Sequence, residues 1–72
     1  MDIKMYEYLL AIAEEGNLSR ASKRLGISQS ALSHYLVSFE NQIGQPLFDR
    51  STRYLSPTSV GTIYILSLIH IL

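Results

Sequence analysis

Cysteine is missing from this 72-residue chain, so disulfides, thiolate metal sites and thiol catalysis are excluded. A cysteine-free chain suits a reducing cytoplasm, where the protein is expected to reside. Net charge is missing as well: six basic residues are set against six acidic ones. No basic segment followed by an apolar core opens the chain, so no signal peptide is expected. The strongly apolar run from Ile63 to Leu72 contains Ser67 and His70. At about ten residues it is roughly half of what a membrane-spanning helix needs. No membrane role is expected. The two histidines, His34 and His70, have no carboxylate at metal-ligand or catalytic spacing. That argues against a metal, a cofactor and an enzyme. A chain this short supports one modest core, not a deep catalytic pocket on its scaffold.

Zero net charge looks wrong for a nucleic-acid binder until the charges are placed. Residues 1–15 hold Asp2, Glu7, Glu14 and Glu15 against Lys4, whereas residues 16–39 hold Arg20, Lys23 and Arg24 with no acid. Glu40 and Asp49 come next, then Arg50 and Arg53. Local sign, rather than the sum, steers a phosphate backbone.

The basic cluster opens the stretch that organises the rest, Ser19 to Ile43, SRASKRLGISQSALSHYLVSFENQI. It predicts two helices joined by a turn of about four residues at Leu25-Gly26-Ile27-Ser28. Gly26 falls where a chain leaving a helix needs a left-handed residue. Ser28 offers a hydroxyl to cap the next helix. That helix sets Ala31, Leu32, Leu36, Phe39 and Ile43 on one face, with Gln29, Ser30, Ser33 and His34 on and near its first turn. A short basic helix, a glycine-bearing turn and a helix with an uncharged polar leading edge form a helix-turn-helix pattern.

Upstream, Met1 to Glu15 is predicted as a helix with Tyr6, Leu9, Leu10 and Ala13 as its apolar stripe. Gly16-Asn17 ends it, Asn17 or Ser19 caps the next helix, and Leu18 is a candidate core residue at the corner. No feature gives this first helix a chemistry of its own, and its expected part is to cover the core. Downstream, Gly44-Gln45-Pro46 stops the second helix of the motif. Leu47–Arg50 and Tyr54–Ser56 predict a small hairpin with Arg50 and Arg53 near its tip, a wing beside the helix-turn-helix. Thr58 is placed to cap a fourth helix.

These segments together resemble the N-terminal DNA-binding domain of LysR-type transcriptional regulators, over roughly residues 1–65. The matching pieces are AIAEEGNLSRASKRLGISQSALSHYL, an E…IG.PLF.R segment and LSPTSVG, in the family's order and spacing. The resemblance implies a mainly α, winged helix-turn-helix fold of three helices, a two-stranded wing and the start of a fourth, linker helix. It implies a bacterial, sequence-specific binder of double-stranded DNA, with recognition helix 28–43 in the major groove and wing 47–56 on the backbone. Carried over, Ser28, Gln29, Ser30, Ser33 and His34 would face base edges and flanking phosphates. Arg20, Arg50 and Arg53 would hold the phosphate backbone or reach the minor groove. Each has a plainer reading too: Gln29 and Ser30 as helix-start residues, Ser33 as a small packing residue, Arg50 as the partner of Asp49 or Glu40. Lys23 and Arg24 read as solvated or long-range charges.

Some positions depart from the family. His34 stands where arginine is usual, so its charge there becomes pH-dependent. Ser30 stands where proline is common, and Val37 and Ser38 where relatives often carry a base. Weaker nonspecific binding with a shallower salt dependence is expected. Residues 1–58 are expected to form the DNA-binding domain, and 59–72 the start of a linker helix with an atypical apolar tail. Members of the family continue into a paired linker helix and an effector-binding domain, and no effector-binding domain stands in this chain. The SLIHIL tail reads either as a truncated or out-of-frame end, since translated sequencing-adaptor read-through gives similar strings, or as a short apolar helix. A homodimer through this helix is expected. A winged-helix protein-docking module is the alternative function.

Overall fold

The computed structural model describes residues 3–51 and 53–71. Along the chain run α1 (Ile3–Glu15), α2 (Leu18–Leu25), α3 (Gln29–Ile43), β1 (Phe48–Asp49), β2 (Ser56–Pro57) and α4 (Ser59–Ile71). This is the expected mainly helical body with a two-stranded antiparallel wing. Met1 and Asp2, expected to open the first helix, lie outside the described residues.

The first helix is more than a cover. It packs against α2, α3 and α4, which is why Met5, Tyr8, Leu9, Ala11 and Ile12 are all buried. The expected stripe shares only Leu9 with that set; Tyr6, Leu10 and Ala13 are half-buried against it. Three neighbours demand a wider apolar arc than the single stripe of a surface helix. The core is completed by Ala21, Leu32, Leu36, Leu47, Phe48, Ile65 and Leu68.

Local signals set the helix ends. Asn17 Oδ1 accepts the Arg20 N–H at 2.9 Å and caps α2. Gly26 ends α2 at φ +73°, a left-handed conformation that costs a residue with a Cβ about 1 kcal/mol or more. Ser28 Oγ accepts the Ala31 N–H at 3.1 Å, making Ser28 the cap of α3 rather than its first residue. Aromatic packing then fixes how α3 is rotated against α1. Tyr35 stands edge-on to Tyr8 with centroids 5.1 Å apart and stacks on Phe39 at 6.2 Å. Lys4 Nζ donates to the Tyr35 hydroxyl at 3.1 Å.

The wing is shorter and later than expected. Phe48 pairs with Pro57 and Asp49 with Ser56, so the returning strand starts at Ser56 and not at Tyr54. The proline tolerates this because an edge strand can leave a missing N–H on its open side. Helix α4 begins as expected, with Thr58 Oγ1 accepting the Gly61 N–H at 3.0 Å and donating to the Pro46 carbonyl at 2.8 Å. Among the described residues, no helix is long and apolar enough to cross a membrane.

Candidate nucleic-acid interface

Helix α3 turns its apolar face inward through Leu32 and Leu36, which leaves a polar ridge outward. Ser30, His34, Val37 and Asn41 recur at helical spacing and are all exposed. Gln29 is exposed beside this ridge and Ser33 is half-buried there. Ser28 at the cap and the four α3 positions predicted to read DNA thus gather at one end of one helix. Their engagement differs. The Ser28 oxygen is committed to capping α3 and lies 3.3 Å from Ser30 Oγ. Gln29 presents an amide that can pair bidentately with adenine, and His34 a ring that can donate or accept at a base edge.

The cations lie on α2 and in the wing, the elements before and after α3, and most are already paired. Arg20 Nε lies 3.5 Å from Glu15 Oε1. Arg24 Nη2 lies 2.6 Å from Glu14 Oε1, and its Nη1 3.4 Å from Glu15 Oε2. The hydrogen bond to Glu14 raises the Arg24 pKa further above its already high value. Folding therefore carries the acids that end α1 onto the bases of α2, across the corner at Gly16-Asn17. Segment-by-segment charge does not survive it. The separations of five to ten residues between these partners were the available signal, but only with the corner known do they become neighbours. Both arginine side chains are solvent-exposed, so they can be redirected at small cost. Arg20 remains 72% exposed. Lys23 is exposed, and no ion pair holds it among the described residues.

In the wing, Arg50 and Arg53 part company. Arg50 Nη2 donates to Glu40 Oε1 at 2.9 Å, and Nη1 lies 3.4 Å from both Glu40 Oε2 and the Phe48 carbonyl. This is the plainer partner anticipated for it. Arg53 is exposed, its guanidinium 5.6 Å from the Tyr54 ring. Just before Arg50, Asp49 Oδ1 accepts the Ser51 hydroxyl at 2.6 Å and the Ser51 N–H at 2.9 Å, which tightens the chain there. Those two bonds hold the Asp49 carboxyl below its ordinary pKa. Thr52 lies outside the described residues.

Glu40 is the residue that the sequence reading passed over as a site organiser. Its carboxylate, 13% exposed, accepts the Leu47 N–H at 2.7 Å as well as the Arg50 guanidinium. Burial pushes its pKa up, but the bonds from Arg50 and Leu47, with the Arg50 charge, outweigh this and hold it low. One side chain of α3 thus fixes where the wing stands relative to the ridge. No cluster of histidines and carboxylates with metal-binding geometry occurs among the described residues.

Known proteins share this fold. The sequence profile of the family described as "Bacterial regulatory helix-turn-helix protein, lysR family" matches residues 3–62. The HTH-type transcriptional regulator ShiR of Corynebacterium glutamicum (strain R) is 43% identical over 65 residues, covering 90% of this chain and 22% of that regulator. The BenM DNA-binding domain, solved with its benA site 1 DNA, superposes with a TM-score of 0.89 at 27% identity, covering 99% of this chain and 80% of that one. The CbnR DNA-binding domain, also solved with DNA, gives 0.87 at 31% identity, with 99% and 82% covered. The chain spans about a fifth of the length of the ShiR-type regulator it matches. With a profile match over most of the chain and two superposable domains, this protein belongs to the LysR family of bacterial helix-turn-helix regulators.

Proposed function

We propose that this chain is the DNA-binding part of a transcription regulator, recognising a specific double-stranded sequence from the cytoplasm by binding rather than by turnover. The observation that carries the reading is the exposed, uncharged polar ridge on α3, a helix that follows the basic α2 and precedes the arginine-bearing wing in the chain. Support comes from the BenM and CbnR domains, which have the same fold and were solved on DNA. In this reading Gln29, Ser30, Ser33 and His34 read base edges, and Ser28 starts the reading helix while donating its remaining hydroxyl proton. Arg20, Arg50 and Arg53 hold phosphates. Residues 1–58 do this work, and 59–72 pair two copies on a site of dyad symmetry through the exposed Ile63, Leu66 and Ile69. Half-sites then lie about one helical turn, or a multiple of it, apart.

Selection of duplexes from a random pool at two salt concentrations, with Arg53→Ala in parallel, tests this reading. A palindromic motif whose recovery falls with salt and with the substitution is the expected result. No enrichment by a folded sample would sink it. The fold would then serve as a protein-docking module, which the internal pairing of Arg20, Arg24 and Arg50 favours.

A further inference from the structure

Large apolar side chains exposed among the described residues lie at Ile3 on α1, Tyr54 in the wing, Ile63, Leu66 and Ile69 on α4, and Val37 on α3. Val37 differs from the rest by its neighbours. It is 48% exposed and stands on the outward ridge, one turn beyond His34. Its own chain gives it little to do. A β-branched residue is a poor helix former at an exposed position, and this one is absent from both the core and the layer packed on it.

The remainder of α3 sharpens the question. From Gln29 to Ile43 the helix contains no lysine and no arginine. The commonest specific contact in the major groove, a cation paired bidentately with guanine, is therefore unavailable to it. Readout from this helix rests on uncharged hydrogen bonds and on apolar contact. In the major groove one apolar feature distinguishes the base pairs, the C5-methyl group of thymine. Eight residues separate Gln29 from Val37, a rise of about 12 Å, close to the width of that groove. Both residues can therefore meet base edges at the same time.

Resting on the DNA-binding reading above, we infer that Val37 is a specificity-determining residue that reads the 5-methyl group of a thymine. The two γ-methyls close over that methyl and remove it from water. Cytosine, which has no methyl, offers its amino group there and is left without a partner. The half-site carries a required T·A pair at the Val37 position, offset from the pair that Gln29 reads.

Replacing thymines of the selected duplex one at a time by deoxyuracil removes only the methyl group. Binding by the 72-residue chain is expected to fall about fourfold at one thymine per half-site, the worth of one buried methyl. Val37→Ala is expected to bind the unmodified duplex about fourfold more weakly and to lose that sensitivity, while Val37→Ile retains it. Such a cycle isolates the pair, because alanine keeps the helix and any effect common to both duplexes cancels. Circular dichroism confirms that the variant is folded. Wild-type binding in which no uracil penalty disappears with Val37→Ala would overturn this inference and leave the DNA-binding reading standing. Absence of any selected duplex would overturn both.

Discussion

Glu40 Oε1 lies 2.9 Å from Arg50 Nη2, while the other oxygen of the same carboxylate takes the Leu47 N–H at 2.7 Å. A side chain of α3 is thus bonded to both the first strand's approach and the base of the wing's turn. The two bonds are unequal. Leu47 is fully buried, so its N–H has no replacement acceptor in water, whereas the Arg50 side chain is 45% exposed. Glu40→Ala is expected to cost about 1–3 kcal/mol, and Arg50→Ala under about 1 kcal/mol. Urea titration of the two variants checks the order. Equal losses would mean that the ion pair, not the buried N–H, holds the wing.

The same carboxylate sets an acid limit on stability. Its folded pKa lies below the ordinary value of about 4.3. Its contribution is therefore complete above the unfolded pKa and is lost as pH falls through the folded one. Asp49, also lowered by its bonds to Ser51, acts in the same direction. Between neutral pH and about pH 5 stability should be flat with respect to these groups, and it should decline below about pH 4. Glu40→Gln should flatten part of that decline. A melting-temperature profile that is unchanged in shape by Glu40→Gln would show that other groups govern the acid limb.

Gly61 tests how closely α4 approaches the wing. A Cβ built there collides with the carbonyl oxygen of Leu47, the atom that accepts the Thr58 N–H at 3.0 Å. On helix propensity alone Gly61→Ala would stabilise by about 1 kcal/mol. The clash is with backbone, which cannot rotate away, so the expected outcome is a net loss of about 1–3 kcal/mol. An increase in melting temperature would mean that α4 can withdraw freely.

Charge removal should separate phosphate contacts from structural ones. Arg53→Ala is expected to leave the melting temperature unchanged and to lower the slope of log K against log salt by about 0.9. Arg50→Ala should alter both quantities, since Arg50 also holds Glu40. An Arg53→Ala protein with an unchanged slope would remove that residue from the contact set.

Glu15 lies against two arginines, 3.5 Å from Arg20 and 3.4 Å from Arg24. On the DNA-binding reading, Glu15→Gln is expected to strengthen binding to nonspecific duplex about two- to fivefold at low salt, because it removes an anion beside two cations of α2. The gain should fade near 1 M salt, where the screening length is about 3 Å. Weaker binding by Glu15→Gln would show that the pair aims the arginines rather than restraining them.

Much of the fold was legible because its signals were local. Asn17, Gly26, Ser28 and Thr58 each act on a backbone group within three or four residues. The turn, both caps and the start of α4 follow from neighbours in sequence. The positions Gln29, Ser30, Ser33 and His34 were legible in the same way, since helical spacing alone puts them at one end of α3. What escaped were features that depend on remote partners. The burial arc of α1 widened because three helices surround it. The Tyr8–Tyr35 contact, 5.1 Å between centroids, joins residues far apart in the chain. The wing's register depended on which N–H groups found acceptors, with the Leu55 N–H bonding the Gly16 carbonyl at 2.9 Å. No periodicity encodes that bond.

That last bond has a mechanical consequence. The wing is fastened at its start to Glu40, at its return to Gly16 and at its exit where Thr58 meets Leu47. The gap between ridge and wing therefore behaves as a fixed gauge, not as a jaw that closes. On the DNA-binding reading, any mismatch in curvature or groove width falls to the duplex to absorb. Sequences that deform easily, such as those with flexible pyrimidine–purine steps, would then be favoured at positions that no side chain touches.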